Sequence, residues 1–296
     1  MAPIEYSSTL EVVFNPKMEV GEGPIWDDAT STLLFVESFN GAVHRYDPMT
    51  GKLLVHYLNQ PVGIAIPRKR GGLVVSARDG LLSVQENDPD ADLLVPLEFE
   101  KRGNRMNDAK CDSLGRLWSG TFSTTFEPKA GSLYCIDPNY SVTKAAEGVY
   151  ISNGIAWSPD ETKMYYADTA KRGVDVFDYD IHTGGISNRR RFVNIDRADG
   201  LPDGMATDAQ GYLWVALYCG GVVRRYSPEG EWVGTVTLPV AGVTSCGFGG
   251  KDLQDLYITT ANHLPAHTGL IPEPGAGALF RCRPGIAGMP VYPFGG

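Results

Sequence analysis

The chain has no stretch approaching the roughly eighteen consecutive apolar residues that a membrane-spanning helix requires. Its start, Met1 to Glu5, lacks the basic and then apolar segments of a secretory leader. A soluble cytoplasmic protein with no membrane partner is the expectation. Basic charge is also scarce: 26 Lys and Arg face 35 Asp and Glu, giving a formal net charge of −9. That balance repels phosphate backbones, which excludes nucleic acid as a partner. Two short basic runs, Arg68 to Arg70 and Arg189 to Arg191, adjoin turn signals and read as solvated loops. The five cysteines are odd in number and include no C-x-x-C pair, which removes the usual zinc and redox patterns. Cys111, Cys135 and Cys219 lie in apolar, strand-like stretches and read as small buried hydrophobes. No G-x-S-x-G elbow is present, so a serine or cysteine hydrolase with a histidine base has little support. His44, His56 and His182 fall in outer-strand or turn contexts, where a surface or hydrogen-bonded role is the default. His263 and His267 sit in the Pro- and Gly-rich stretch 262–277, long enough to overhang a channel mouth.

What the chain does contain is a repeat. Gly41 to Pro48, Gly131 to Pro138 and Gly221 to Pro228 share a glycine, an alternating apolar and polar run and a turn, and their starts lie 90 residues apart. Weaker copies begin at Gly80, Gly173 and Gly277, making six, with start-to-start spacings from 39 to 56 residues. Such spacings bracket the roughly 40–50 residues of a four-stranded propeller blade. Each copy follows a second strand signal: 32–37, 72–76, 115–119, 163–167, 211–215 and 255–259. The expected fold is all-β: a six-bladed β-propeller with four-stranded antiparallel blades around a central channel, residues 1–296 forming one domain. Residues 10–14 precede the first blade and should pair with the strand near 277–282, closing the ring. Met289 to Pro293 carries two prolines and is a poor sheet partner, so residues 288–296 are expected to be dispensable.

A third signal lies upstream of each pair and would be the innermost strand of its blade. One slot in it carries Glu22, Val62, Asn107, Asn153, Asp203 and Ser245, of which five are polar. Carboxylates and carboxamides converging on a narrow axis strand their lone pairs unless a cation joins them. Asn153-Gly154 and Asp203-Gly204 are also ordinary turn dipeptides. Their shared register with Glu22 and Asn107 favours one divalent ion instead. All-oxygen donors point to Ca²⁺ first, with Mg²⁺, Mn²⁺ and Zn²⁺ as alternatives. Arg105, in an acidic channel, either offers its fork of donors to a ligand's oxygens or pairs with Asp108 or Asp203 as scaffolding.

At these residues the sequence resembles the SMP-30/gluconolactonase/luciferin-regenerating-enzyme family. The matching motifs are residues 21–27 (GEGPIWD), 104–108 (NRMND), 152–160 (SNGIAWSPD), 202–204 (PDG) and 243–250 (VTSCGFGG). The resemblance implies a six-bladed propeller, a metal held by Glu22, Asn153 and Asp203, and lactone hydrolysis. It further implies that Arg105 and Asn107 hold substrate. Some members carry an acidic residue where this chain has Thr124, a rim position for substrate hydroxyls, and that departure bears on the choice of sugar. Opening a sugar-type lactone needs a polarised carbonyl, a water and a base; the ion supplies the first and acidifies the second, and Asp203 is the choice of base. Two rivals stand beside this reading: a non-catalytic calcium-binding or interaction propeller, and an esterase or phosphotriesterase on the same scaffold.

Overall fold

Each repeat forms an antiparallel sheet whose strands follow one another from the axis outward. The computed structural model describes residues 2–85 and 90–296. Blade 1 comprises Gly21–Asp27, Thr32–Glu37, Ala42–Tyr46 and Leu53–Tyr57, hydrogen-bonded in that order. Blades 2 to 5 repeat the arrangement from inner strands Val62–Pro67, Asn104–Cys111, Ser152–Trp157 and Leu201–Thr207, and blade 6 begins at Val243–Gly249. The chain is therefore a six-bladed β-propeller. Among the described residues no helix is long and apolar enough to cross a membrane.

Burial falls from axis to rim, and the sequence follows it. The second strands Thr32–Glu37 and Leu73–Ala77 are buried throughout, packed on both faces by neighbouring blades, and accordingly read as near-continuous apolar runs. The outermost strand of blade 4, Gly185–Asn194, is exposed along most of its length. Arg189, Arg190 and Arg191 lie on that strand, not in a loop, and pair with Asp175 and Asp178 on the strand beside it. Charge along an outer edge discourages pairing with another sheet. Arg68 is likewise no free loop residue, since it donates to Ser83 Oγ, Tyr140 Oη and the Gly296 carbonyl. Cys111 and Cys135 are buried as expected, but Cys219 is only half-buried. It sits in the turn after Leu213–Tyr218 with φ 64°, because the strand has already ended there. His44 is buried against Phe35, ring on ring at 4.7 Å, and neither of its nitrogens has a hydrogen-bond partner among the described residues. Burial lowers its pKa to about 4 and keeps it neutral.

Two buried aspartates fix the far ends of inner strands in blades 3 and 5. Asp112 accepts from the backbone N–H groups of Leu114 and Arg116, from Arg116 Nε at 2.7 Å, and from Trp118 Nε1 and Tyr179 Oη. Asp208 repeats the pattern with Gln210, Tyr212, Trp214 Nε1 and Arg225 Nε at 2.8 Å. Both carboxylates are fully buried, and losing one partner of such a pair costs about 3–5 kcal/mol.

The two ends of the chain close the ring. Glu11–Phe14 pairs antiparallel with Leu279–Cys282 as the outer strand of blade 6, with Val12 opposite Phe280. Ile4–Glu5 adds a parallel fifth strand to blade 5 beside Trp232–Thr237, a pairing too short to read in sequence. The C-terminal residues, expected to stand apart from the blades, are bonded to them. Gly288 bridges to Asp208, Met289 N–H donates to the Thr207 carbonyl, and Phe294 exchanges bonds with Pro67 and Lys69 at 2.8 Å each. Gly295 N–H then donates to Gly115. The prolines at 290 and 293 are tolerated because the tail forms isolated bridges and not a ladder, so few N–H groups are needed. Phe294 is fully buried. Phe294→Ala is expected to cost about 3–5 kcal/mol. Removing either residues 288–296 or residues 1–14 should lower the melting temperature and the soluble yield. An unchanged melt for the C-terminal truncation would show the tail to be ornamental.

Candidate functional site

The inner strands begin at one end of the axis with a common irregularity. The ladder skips two residues at Asn107-Asp108, Asn153-Gly154 and Asp203-Gly204, and this bulge turns the first residue of each pair out of the sheet. In blade 1 the skip falls at Gly23-Pro24, so Glu22 stands one place earlier than the other three rather than in the same register. Glutamate has one more methylene than aspartate, and its carboxylate still reaches the group: it raises the pKa of Asp203 and is felt by Arg105. In blade 6 the skipped residue is Thr244, which donates to the Gly21 carbonyl, so the slot belongs to Thr244 and not to Ser245.

Asn153 and Asp203 are each 6% exposed, and each leaves one oxygen, Oδ1, buried with no hydrogen-bond partner among the described residues. Asn153 Nδ2 is held by Thr169 Oγ1 at 3.1 Å, and Thr169 in turn donates to the Pro202 carbonyl at 2.9 Å. That relay ties two blades together and aims the free Asn153 oxygen. Asn107 donates to the Ser152 carbonyl at 2.7 Å. Burial first, and the Asp108 charge second, push the Glu22 pKa up to about 8. Burial, Glu22 and Asp108 together raise Asp203 well above the usual carboxylate range.

Sequence reasoning named Asp108 only as a possible partner of Arg105 and left it out of the axial group, to which it belongs. It occupies the place after the slot where blades 4 and 5 have glycine, and that contrast was the available signal. Burial raises its pKa, while the Lys110 ammonium and its own bond from Ala109 N–H oppose the rise. Lys110 Nζ donates to the Met205 carbonyl at 2.7 Å. Arg105 makes no ion pair with Asp108 or Asp203 among the described residues. It donates to Ser38 Oγ at 3.1 Å and the Val62 carbonyl at 3.2 Å, and lies over the Phe122 ring at 4.8 Å. Burial lowers its pKa to about 10, offset in part by Glu22, and the side chain remains a cation. Thr124 is exposed, and its hydroxyl donates to the Gly103 carbonyl at 2.9 Å. Tyr218 and Cys219 adjoin Asp203, and Tyr218 Oη donates to the His263 carbonyl at 2.6 Å. His263 also meets Phe39 edge-on at 5.6 Å, which brings the start of loop 262–277 over this end of the channel.

No three His, Cys, Asp or Glu side chains gather as a metal-binding group among the described residues. The donor set that does converge has a carboxamide as its third member. Two buried oxygens without partners, beside a second carboxylate whose ionisation is suppressed by its neighbours, fit a hard divalent cation. In the metal-free protein Glu22 binds a proton up to about pH 8, well above an unfolded glutamate, so its contribution to stability falls as pH rises between about 4.5 and 8. A cation must displace that proton. Affinity for Ca²⁺ should therefore rise from pH 6 to pH 8, and calorimetry in buffers of different ionisation heat should register proton release. A binding heat independent of buffer would contradict this.

A family model described as an SMP-30/Gluconolactonase/LRE-like region matches residues 20–262. Regucalcin from Bos taurus is 38% identical over 297 residues, covering 98% of this chain and 99% of the relative. Regucalcin from Danio rerio is 38% identical over 294 residues with the same coverage. Among solved structures, a luciferin-regenerating enzyme is 33% identical with a TM-score of 0.85, covering 97% of each chain. A calcium-binding protein, regucalcin, from Agrobacterium tumefaciens is 28% identical with a TM-score of 0.89, covering 99% of this chain and 98% of that one. The propeller, the order of its axial motifs and these matches together place the chain in the SMP-30/gluconolactonase/LRE-like family.

Proposed function

We propose that the chain hydrolyses a sugar-type lactone to its hydroxy acid, with one divalent ion held by Glu22, Asn153 and Asp203. The observation that supports this most is the pair of buried oxygens of Asn153 and Asp203 that have no hydrogen-bond partner among the described residues, beside a cationic Arg105 that makes no ion pair among them. When bound, the ion supplies Lewis acidity, polarising a carbonyl and acidifying water. The chain's own residues do the rest. Asp203 takes the proton of the attacking water and returns it to the ring oxygen as the ester C–O bond breaks; burial and the neighbouring carboxylates Glu22 and Asp108 disfavour its charged form, which favours its taking up a proton. Arg105 is fixed by Ser38, Val62 and Phe122 through part of its surface, which leaves further N–H donors for the oxygens of a polyhydroxylated ligand. Asn107, two residues further along the same inner strand, orients the same ligand. Thr124 serves the rim.

A calcium-binding propeller without catalysis is the second reading, favoured by the Agrobacterium tumefaciens relative, which is described as a calcium-binding protein. Turnover separates the two. Chelation should abolish hydrolysis of aldonolactones in a pH-indicator assay, and Ca²⁺, Zn²⁺, Mn²⁺ or Mg²⁺ added back should restore it. Asp203→Ala and Asn153→Ala should each lose activity while keeping the wild-type circular dichroism spectrum. Tight metal binding without turnover on any lactone would favour the calcium-binding reading. Arg105→Lys keeps the charge but loses the planar fork, and should lower kcat/KM by about tenfold or more. Unchanged efficiency would assign Arg105 to scaffolding.

A further inference from the structure

Next to the acidic ring lies an open hollow of about 320 Å³, at the lower end of the range of small-molecule sites, walled by Arg172, Arg197, Gly200, Cys219, His267 and Leu270. Three separate elements bring its basic groups together. Arg172 closes the turn Thr169–Lys171, whose Thr169 holds Asn153 and the Pro202 carbonyl. Arg197 opens the turn Arg197–Asp199, which runs straight into the strand that carries Asp203. His267 belongs to the turn Ala266–Thr268 in the overhanging loop. Cys219 stands close enough to Asp203 to feel its charge, so the hollow and the ring share a wall.

The charges of this hollow are unusual for the molecule. Among the described residues, ten of the sixteen arginines are ion-paired with a carboxylate, as an acidic chain makes easy. Arg172 and Arg197 are not, among the described residues. The hydrogen bond that Arg172 makes goes from Nη1 to the Gly200 carbonyl at 3.3 Å, and leaves its charge uncompensated. Asp199, on the same turn as Arg197, is held by Arg224 at 2.7 Å. Asp196 is exposed and does not line the hollow. Two guanidinium groups with donors to spare, facing one cavity from two turns, match the geometry by which arginine takes a carboxylate or a phosphate.

We propose that this hollow receives an anionic substituent of the substrate, so that the preferred lactone carries a carboxylate or phosphate remote from its ring ester. The proposal rests on the lactonase reading above and adds the substrate class to it. The ring would engage the ester while Arg172 and Arg197 hold the anion, giving selectivity against neutral lactones of the same size.

The test compares kcat/KM for glucono-1,5-lactone, its 6-phosphate and glucaro-1,4-lactone in wild type, Arg197→Ala and Arg172→Asn/Arg197→Ala. Asparagine suits the left-handed backbone at Arg172, where φ is 51°. Arg197 is exposed, so Arg197→Glu serves as a second variant with little risk to folding. The ratio of anionic to neutral efficiency should fall about tenfold or more in the double variant and further in Arg197→Glu. It should also fall in wild type as ionic strength rises from about 0.05 to about 0.5 M. Whichever of the phosphate and carboxylate lactones loses more identifies the anion. An unchanged ratio in the variants overturns the proposal. Should none of the three lactones be hydrolysed, the lactonase reading fails and titration calorimetry with glucarate judges the hollow alone. Binding to wild type that is lost in the double variant sustains an anion site, whereas equal or absent binding in both removes it.

Discussion

The nearness of the six inner strands to one another at the axis governs the rest of the structure. A Cβ added at Gly154 would stand 2.5 Å from the Asp203 carbonyl oxygen, one at Gly63 would stand 2.1 Å from that of Asn107, and one at Gly247 would stand 2.1 Å from that of Pro24. Backbone on backbone at such distances leaves no room for a side chain on one member of each contact. The slot residue must then project toward the axis, and residues from separate blades are forced into one small volume. The convergence of Glu22, Asn107, Asn153 and Asp203 is in this sense a packing outcome before it is a chemical one.

That packing outcome is unfavourable by itself. Three carboxylates, Glu22, Asp108 and Asp203, lie within reach of each other's fields, and burial adds to their mutual resistance to ionise. Arg105 and Lys110 offset part of the charge from opposite sides. At the far ends of the inner strands the chain does the reverse: Asp112 and Asp208 have their side-chain oxygens filled by arginine, tryptophan and backbone donors. Saturated aspartates at one end and starved ones at the other separate scaffold from site along the same strands.

Most of this was legible in the sequence because the repeat is long-range and the axial motifs are short and polar. The six blades, the second strands and the pairing of 11–14 with 279–282 follow from period and pattern alone. What was not legible depended on offsets of a single residue or on contacts with no period. The displaced bulge at Gly23-Pro24 and the exchange of Ser245 for Thr244 are one-residue shifts that motif alignment smooths over. Asp108 was considered only as a partner for Arg105, because it falls one place after the slot residue Asn107. The tail at 288–296 looked unsuited to a sheet, and it forms none; it binds through isolated bridges and one buried ring, which leave no periodic trace.

The closure of blade 6 by Glu11–Phe14 has a bearing on how the protein is made. The first of these paired strands leaves the ribosome some 270 residues ahead of its partner at Leu279–Cys282. At about 5–20 residues per second, it waits on the order of tens of seconds with no sheet to join. During that interval five blades can assemble in order of synthesis, but the ring stays open and the early strand remains a free edge. The exposed Glu11, which pairs with Arg281 once both are present, puts a charge on that edge during the wait. Slow decoding late in the message would lengthen the exposure, so the last blade's codons bear on the yield of the whole propeller.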